Sequence, residues 1–182
     1  LCALLNEQPM GFYAPDTLAH EAQRRGIEMA PPDVNASEAQ CTVESVDPSR
    51  VRIGLGYVLG VRREEVEALV VARREHGPFR SLADLASRGG AGRPALEKLA
   101  WAGACDALGG SRRTALWQLG VAAPGEKLPE GTQLSLPLEV PEAPELRALD
   151  RWEGMVADYA TTGLTLGPHP MKLLRGGLPA GT

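Results

Sequence analysis

No run of apolar residues in this 182-residue chain approaches the ~20 needed for a helix to span a bilayer, so a helical membrane anchor is not expected. The opening LCALLNEQ has neither a Met nor a basic segment ahead of an apolar one and does not read as a signal peptide. It reads as the last turns of a helix already under way, which predicts a piece of a longer protein. Cysteine is scarce: Cys2, Cys41 and Cys105 stand far apart with no CxxC pair, a pattern that excludes the usual zinc modules and fits reduced thiols in a cytoplasmic protein. His20, His76 and His169 are equally isolated, and zinc sites use clustered ligands, so no metal is expected. Catalytic signatures are missing too. There is no paired carboxylate motif on a predicted strand, no GxxxxGK[ST] and no Ser/His/Asp set at a known spacing. Two-metal phosphoryl transfer needs clustered carboxylates; here they fall in predicted first turns or in a linker. No catalytic residue is assigned, and the residues alone describe a binding module.

What is present is an uneven charge. Apolar residues make up 43% and charged residues 23%, ordinary for a soluble globular chain long enough for one good core or two small modules. The net charge of −4 hides a pattern. Residues 1–49 hold eight acids against two bases, residues 50–113 twelve bases against seven acids, and residues 114–158 eight acids against three bases. A basic module thus lies between acidic flanks, and local charge decides phosphate affinity more than the total does. Arg-rich helices with plainly solvated faces would give the same count.

Along the chain, Pro9-Met10-Gly11 breaks the first helix, and a second is predicted from Pro15 to Arg25, closed by Gly26. Ile27–Met29 is short and extended. Cys41–Glu44 and Val51–Ile53 alternate across the turn chemistry of Asp47-Pro48-Ser49, predicting a small β-hairpin. The stretch from Leu55, with Val58 and Leu59 apolar, then reads as a short helix, Gly60-Val61-Arg62 as a tight turn, and the following residues as a longer helix ending near Gly77-Pro78, with Val66, Leu69 and Val70 at helical spacing. Ser81 caps a short helix, Pro94 opens another through Ala102, Gly103 ends it, and Ser111 caps SRRTALWQL. Helix, Gly turn and helix therefore occur twice. From Gly120 to Leu149 five prolines and many acids mark a linker, and Arg151–Ala160 returns to helix.

A glycine-bearing hairpin brings backbone N–H groups to the start of its second helix, where they and the helix dipole attract a phosphate oxygen. Gly60, Val61, Arg62 and Arg63 form that constellation in the first unit; Gly103, Gly109, Ser111, Arg112 and Arg113 form it in the second. Such contacts grip a DNA backbone without reading sequence. A plain helical hairpin using Gly only to turn is the competing reading. In the linker, Gln133-Leu134-Ser135-Leu136-Pro137-Leu138 is an apolar island. It suits an extended peptide offering Gln to a polar pocket and Leu to an apolar one, or a short strand tucked against a neighbour.

PMGFY (9–13), RRGIEMAPPDVNAS (24–37), VRIGLGYVLGV (51–61), GPFRSLADL (77–85), LEKLAWAGACDALGGSRRTAL (96–116) and TGLTLGPHPM (162–171) together resemble the bacterial C-family DNA polymerases, the polymerase III alpha subunit family, in order along nearly the whole chain. PMGFY and GPHPMKLLR look like the error-prone branch. The resemblance implies a mainly α fold: the end of a fingers domain at 1–45, a tandem helix-hairpin-helix module with a small β-hairpin at 46–119, an acidic linker at 120–149, and a helix leading into an OB-type domain at 150–182. It implies double-stranded template–primer DNA and the bacterial sliding clamp as partners, with other translesion factors possible, no membrane, and Gln133–Leu138 as the clamp peptide. No cofactor is implied in this stretch, Mg being expected in a palm domain elsewhere in the parent. Two departures stand out: Arg62 occupies a place where the family often has Gly, so a positive φ there would be strained, and Cys105 stands where Phe is common. A replicative alpha subunit, a free-standing helix-hairpin-helix protein and a helical scaffold that never touches DNA are the alternatives.

Overall fold

The computed structural model describes residues 1–9, 11–122 and 143–175. In chain order they form α1 (Cys2–Asn6), α2 (Pro15–Arg24), β1 (Glu28–Ala30), β2 (Thr42–Val46), β3 (Ser49–Arg52), a 3-10 turn (Leu55–Tyr57), α3 (Arg63–His76), α4 (Leu82–Arg88), α5 (Arg93–Trp101), α6 (Asp106–Gly109), α7 (Arg112–Ala122), α8 (Arg151–Thr162) and α9 (Pro170–Arg175). The fold is mainly α, as expected.

The β-hairpin is present with a tighter turn than expected. Val46 lies opposite Ser49, so Asp47 and Pro48 alone turn the chain, and the ladder slips between Val43 and Ser45. The sheet also holds a third strand: β1 pairs in parallel with β3, Met29 facing Val51, giving the order β1-β3-β2. The short helix expected ahead of the Gly60 turn is only a 3-10 turn, Leu55–Tyr57. Val58 is extended, at φ −75° and ψ 116°, and Leu59 N, which a continuing helix would direct to Leu55 O, donates to Thr161 O at 2.7 Å.

Two cores result. The larger gathers α3, α4, α5 and α7 around Leu69, Leu85, Leu96, Leu99 and Leu119. The smaller packs α1, α2 and the sheet around Leu5, Ala19, Met29, Val51 and Ile53, and is joined by Leu164 from beyond α8. Arg73 ties the two regions. Its guanidinium donates to Val34 O, Ser37 O and Glu38 Oε1 at 3.0, 2.7 and 3.0 Å, so a charge with a side chain only 10% exposed has both a carboxylate and two carbonyls as partners. Arg88 does similar work below α3: it lies 4.3 Å over the Phe79 ring and donates to Gly77 O and Pro78 O.

Residues 150–175 pack back on the rest. Asp150 caps α8 through Trp152 N and Glu153 N, Thr161 O accepts from Leu59 N at 2.7 Å, and Tyr159 donates its hydroxyl to Asp16 at 2.9 Å. α8 runs two residues beyond its expected end, and α9 was not expected from the sequence. Among the described residues of this segment there is no strand.

Candidate nucleic-acid interface

The first hairpin is built by a change of hand. Gly60 sits at φ +75°, a conformation that favours glycine, and Arg62 then enters α3 at φ −76°. The strain expected from a non-glycine in the turn is not there, because only Gly60 carries the positive φ; among the described residues no non-glycine does. α3 starts with Glu64 and Glu65 and ends with Arg73, Arg74 and His76, complementing its dipole at both ends.

Three things converge on the start of α3. The amide N–H groups of Gly60, Arg63 and Glu64 meet no acceptor among the described residues. Lys98, from α5, donates its ammonium to Gly60 O at 3.0 Å and so brings a cation to the turn. Arg62 and Arg63 extend into solvent, their side chains 77% and 85% exposed. Each leans on an acid one turn on, Glu65 and Glu67 respectively. Exposed pairs of this kind are weak and open readily to a better anion.

Glu65 is the brace. Its carboxylate accepts from the backbone and guanidinium of Arg62 and, at 3.0 Å, from Gly92 N at the start of α5. The Arg62 guanidinium, opposed by burial and helped by these amides, holds the Glu65 carboxyl below its ordinary range. The brace locks the first hairpin to the helix that supplies Lys98.

The second unit is arranged differently. Gly103, at φ +82°, closes α5: Gly103 N and Ala104 N donate to Ala100 O and Leu99 O, the hydrogen-bond pattern of a Schellman stop. Gly109 is pressed against Ala115 and Leu82, where a Cβ would stand 2.9 Å from each. Ser111 caps α7 by accepting from Thr114 N at 3.2 Å. Arg112, expected beside a phosphate, donates to Trp101 O at 3.1 Å and to Asp158 of α8 at 2.7 Å, and is 18% exposed. Arg113 meets Glu153 of α8 at 3.1 Å. Burial, opposed by Arg112 and helped by Asp158 and Asp33, pushes the Asp106 carboxyl up. Gly60, Val61, Arg62 and Arg63 are thus brought together at an open helix start, while Gly103, Gly109, Ser111, Arg112 and Arg113 lie in a unit bonded to α8.

Residue reading missed Lys98 and Glu65. Lys98 stands 38 positions from Gly60, and no local spacing announces that contact; Glu65 read simply as a first-turn acid. The expected clamp residues Gln133, Leu134, Ser135, Leu136, Pro137 and Leu138 lie outside the described residues. Among the described residues no group of three or more His, Cys, Asp or Glu side chains is arranged to hold a metal ion, and no helix is long and apolar enough to cross a membrane.

Comparison with known proteins supports a helix-hairpin-helix motif and relatives among DNA polymerases. The helix-hairpin-helix motif family matches residues 26–115. The chain is 44% identical over 181 residues to an error-prone DNA polymerase of Aromatoleum aromaticum, covering 96% of this chain and 16% of that protein. It is 40% identical over 188 residues to the error-prone DNA polymerase of Pseudomonas aeruginosa, covering 98% and 17%. It is 42% identical over 189 residues to that of an Anaeromyxobacter species (strain K), covering 97% and 16%. The chain therefore spans 16–17% of the length of these relatives.

Proposed function

The chain belongs, as a homologue of part of their length, with the error-prone DNA polymerases, and on that premise we propose that it is the part that grips duplex DNA for such an enzyme. The observation that carries the reading is the start of α3. There the amides of Gly60, Arg63 and Glu64 have no acceptor among the described residues, the Lys98 ammonium sits on the turn, and Arg62 and Arg63 can swing outward. Amides and cations so placed bind a phosphate oxygen of either strand and ignore the bases. The second unit supports the grip from behind. Its arginines hold α8 and α5 in place, and Arg113, 35% exposed, reaches a phosphate only by leaving Glu153. The error-prone names of the relatives favour this branch over a replicative alpha subunit or a free-standing helix-hairpin-helix protein.

The parent enzyme would carry out DNA-directed synthesis past damage in the cytoplasm, with its carboxylates and Mg in another domain. Residues 1–45 would end its fingers, 46–119 would be the gripping module, 120–149 the linker, and 150–182 would lead into an OB-type domain. Within the linker, Gln133–Leu138 would dock on the sliding clamp.

The test is duplex affinity of the 182-residue chain across a salt series. Arg62→Ala/Arg63→Ala should weaken binding to all sequences alike and reduce the slope of log K against log salt by about 1 for each phosphate that is no longer neutralised. An unchanged slope and affinity would remove the hairpin from the interface.

A further inference from the structure

A cleft of about 500 Å³ opens on the face of α2, lined by Asp16, Thr17, His20, Gln23, Arg24 and His169. The last of these comes from the GPHPM segment, to which the gripping reading gives no task. Hydrogen bonds fix the chemistry of the wall. Gln23 donates Nε2 to Leu166 O at 3.1 Å, so its Oε1 is the acceptor facing His20 Nδ1, also at 3.1 Å. His169 Nδ1 accepts from Met171 N at 3.2 Å, which leaves the proton of a neutral ring on Nε2. His169 therefore offers a donor without needing to be charged, and it lies against the His20 ring at 5.4 Å between centroids.

The single carboxylate of the wall is already engaged. Asp16 accepts from Tyr159 OH at 2.9 Å and Thr165 N at 3.2 Å, with His20 Nε2 at 3.4 Å. Arg24 is 73% exposed and only loosely paired, at 3.6 Å, with a Glu21 that Arg25 holds more closely at 2.8 Å. Thr17 adds an exposed hydroxyl. A guanidinium, an imidazole N–H and a hydroxyl, beside a carboxylate whose oxygens already face Tyr159, Thr165 and His20, suit an oxyanion. A cation is disfavoured, since His20 Nδ1 and His169 Nδ1 are engaged, His20 Nε2 is turned to Asp16, and His169 Nε2 carries the proton of the neutral ring. The volume falls within the usual range of about 300–1,000 Å³ for small-molecule sites.

We propose that this cleft binds a phosphate group, carried either by a nucleic-acid strand or by a free nucleotide. The site is independent of the hairpin, for none of its residues touches Gly60, Arg63 or Lys98 in the bonds described above. The experiment follows the ring signals of His20 and His169 by NMR in the 182-residue chain at constant ionic strength. The probes are inorganic phosphate, deoxyadenosine monophosphate and a twelve-nucleotide single strand. Both rings should shift saturably with each probe, and Arg24→Gln should raise the half-saturation concentration about tenfold or more, as expected when one charge-assisted hydrogen bond is removed. A strand that saturates at tenfold lower concentration than the mononucleotide identifies the source as nucleic acid; equal or tighter mononucleotide binding identifies a free nucleotide. Rings that stay still with every probe, or shifts that Arg24→Gln leaves unchanged, overturn the proposal. In Arg62→Ala/Arg63→Ala/Lys98→Ala the ring shifts should persist, so failure of the hairpin reading and of this one are separately visible.

Discussion

Gly60→Ala perturbs the hairpin at one atom. The new Cβ must live at φ +75°, where an L-residue costs roughly 1–2 kcal/mol. It would also overlap the ammonium end of Lys98, which is flexible and swings aside, taking its bond to Gly60 O with it. For a chain of this size 1 kcal/mol moves Tm by about 2–4 °C, so the backbone cost alone lowers Tm by about 2–8 °C. Circular dichroism melts of the wild type and variant measure this directly. Duplex affinity should fall several-fold in the same variant, because the displaced Lys98 no longer stands at the helix start. Lys98→Ala should reproduce the weaker binding with little change in Tm, and the double variant should bind no worse than the worse single one. A Gly60→Ala chain that melts with the wild type would refute the geometry of the turn. Additive effects on affinity would refute the coupling of Gly60 to Lys98.

Other outcomes follow from the same contacts. Arg73→Ala strands the carbonyls of Val34 and Ser37 and leaves Glu38 with Arg74 alone, and should cost on the order of 2–4 kcal/mol in urea unfolding. The Glu65 carboxyl is held below its ordinary value of 4.5, first by the Arg62 side chain. Its contribution is therefore complete above that value and is lost as pH falls through the lower folded value, so Glu65→Gln should flatten the acid limb of a stability–pH profile below about pH 4.5. Burial pushes the Cys41 and Cys105 thiols up to about 11 and about 12. Mass spectrometry after brief alkylation of the folded chain at neutral pH should find Cys2, which is only partly buried, modified ahead of both. Gln133→Ala/Leu136→Ala should abolish binding to a bacterial sliding clamp in a direct titration and leave duplex affinity intact.

Local signals in the sequence were strong enough to place most of the helices, though not α9. Gly77 and Gly103 mark real stops, Ser81 and Ser111 real caps, and Val66, Leu69 and Val70 the buried stripe of α3. Long-range pairing was not legible. β1 joins β3 in parallel across the chain from Pro31 to Pro48, and the 3-10 turn does not lengthen into a helix because Leu59 N bonds to Thr161 O, from a helix more than ninety residues on. The interface divides in the same way. Glycine and arginine at the first turn showed where to look, but the Lys98 contact and the Glu65 brace arise only when α5 packs on α3. In the second unit the same residue types serve packing, because Asp158 and Glu153 reach Arg112 and Arg113 from a helix that follows the linker. Charge counting by segment could not foresee that neutralisation.

The most direct test of the gripping account is a map of backbone amide shifts when a twelve-base-pair duplex is added to the 182-residue chain at low salt. The amides of Gly60, Arg63 and Glu64 should move furthest, as they gain a phosphate acceptor that the described residues of the folded chain do not supply. Movement centred elsewhere, with these three unmoved at saturation, would contradict it.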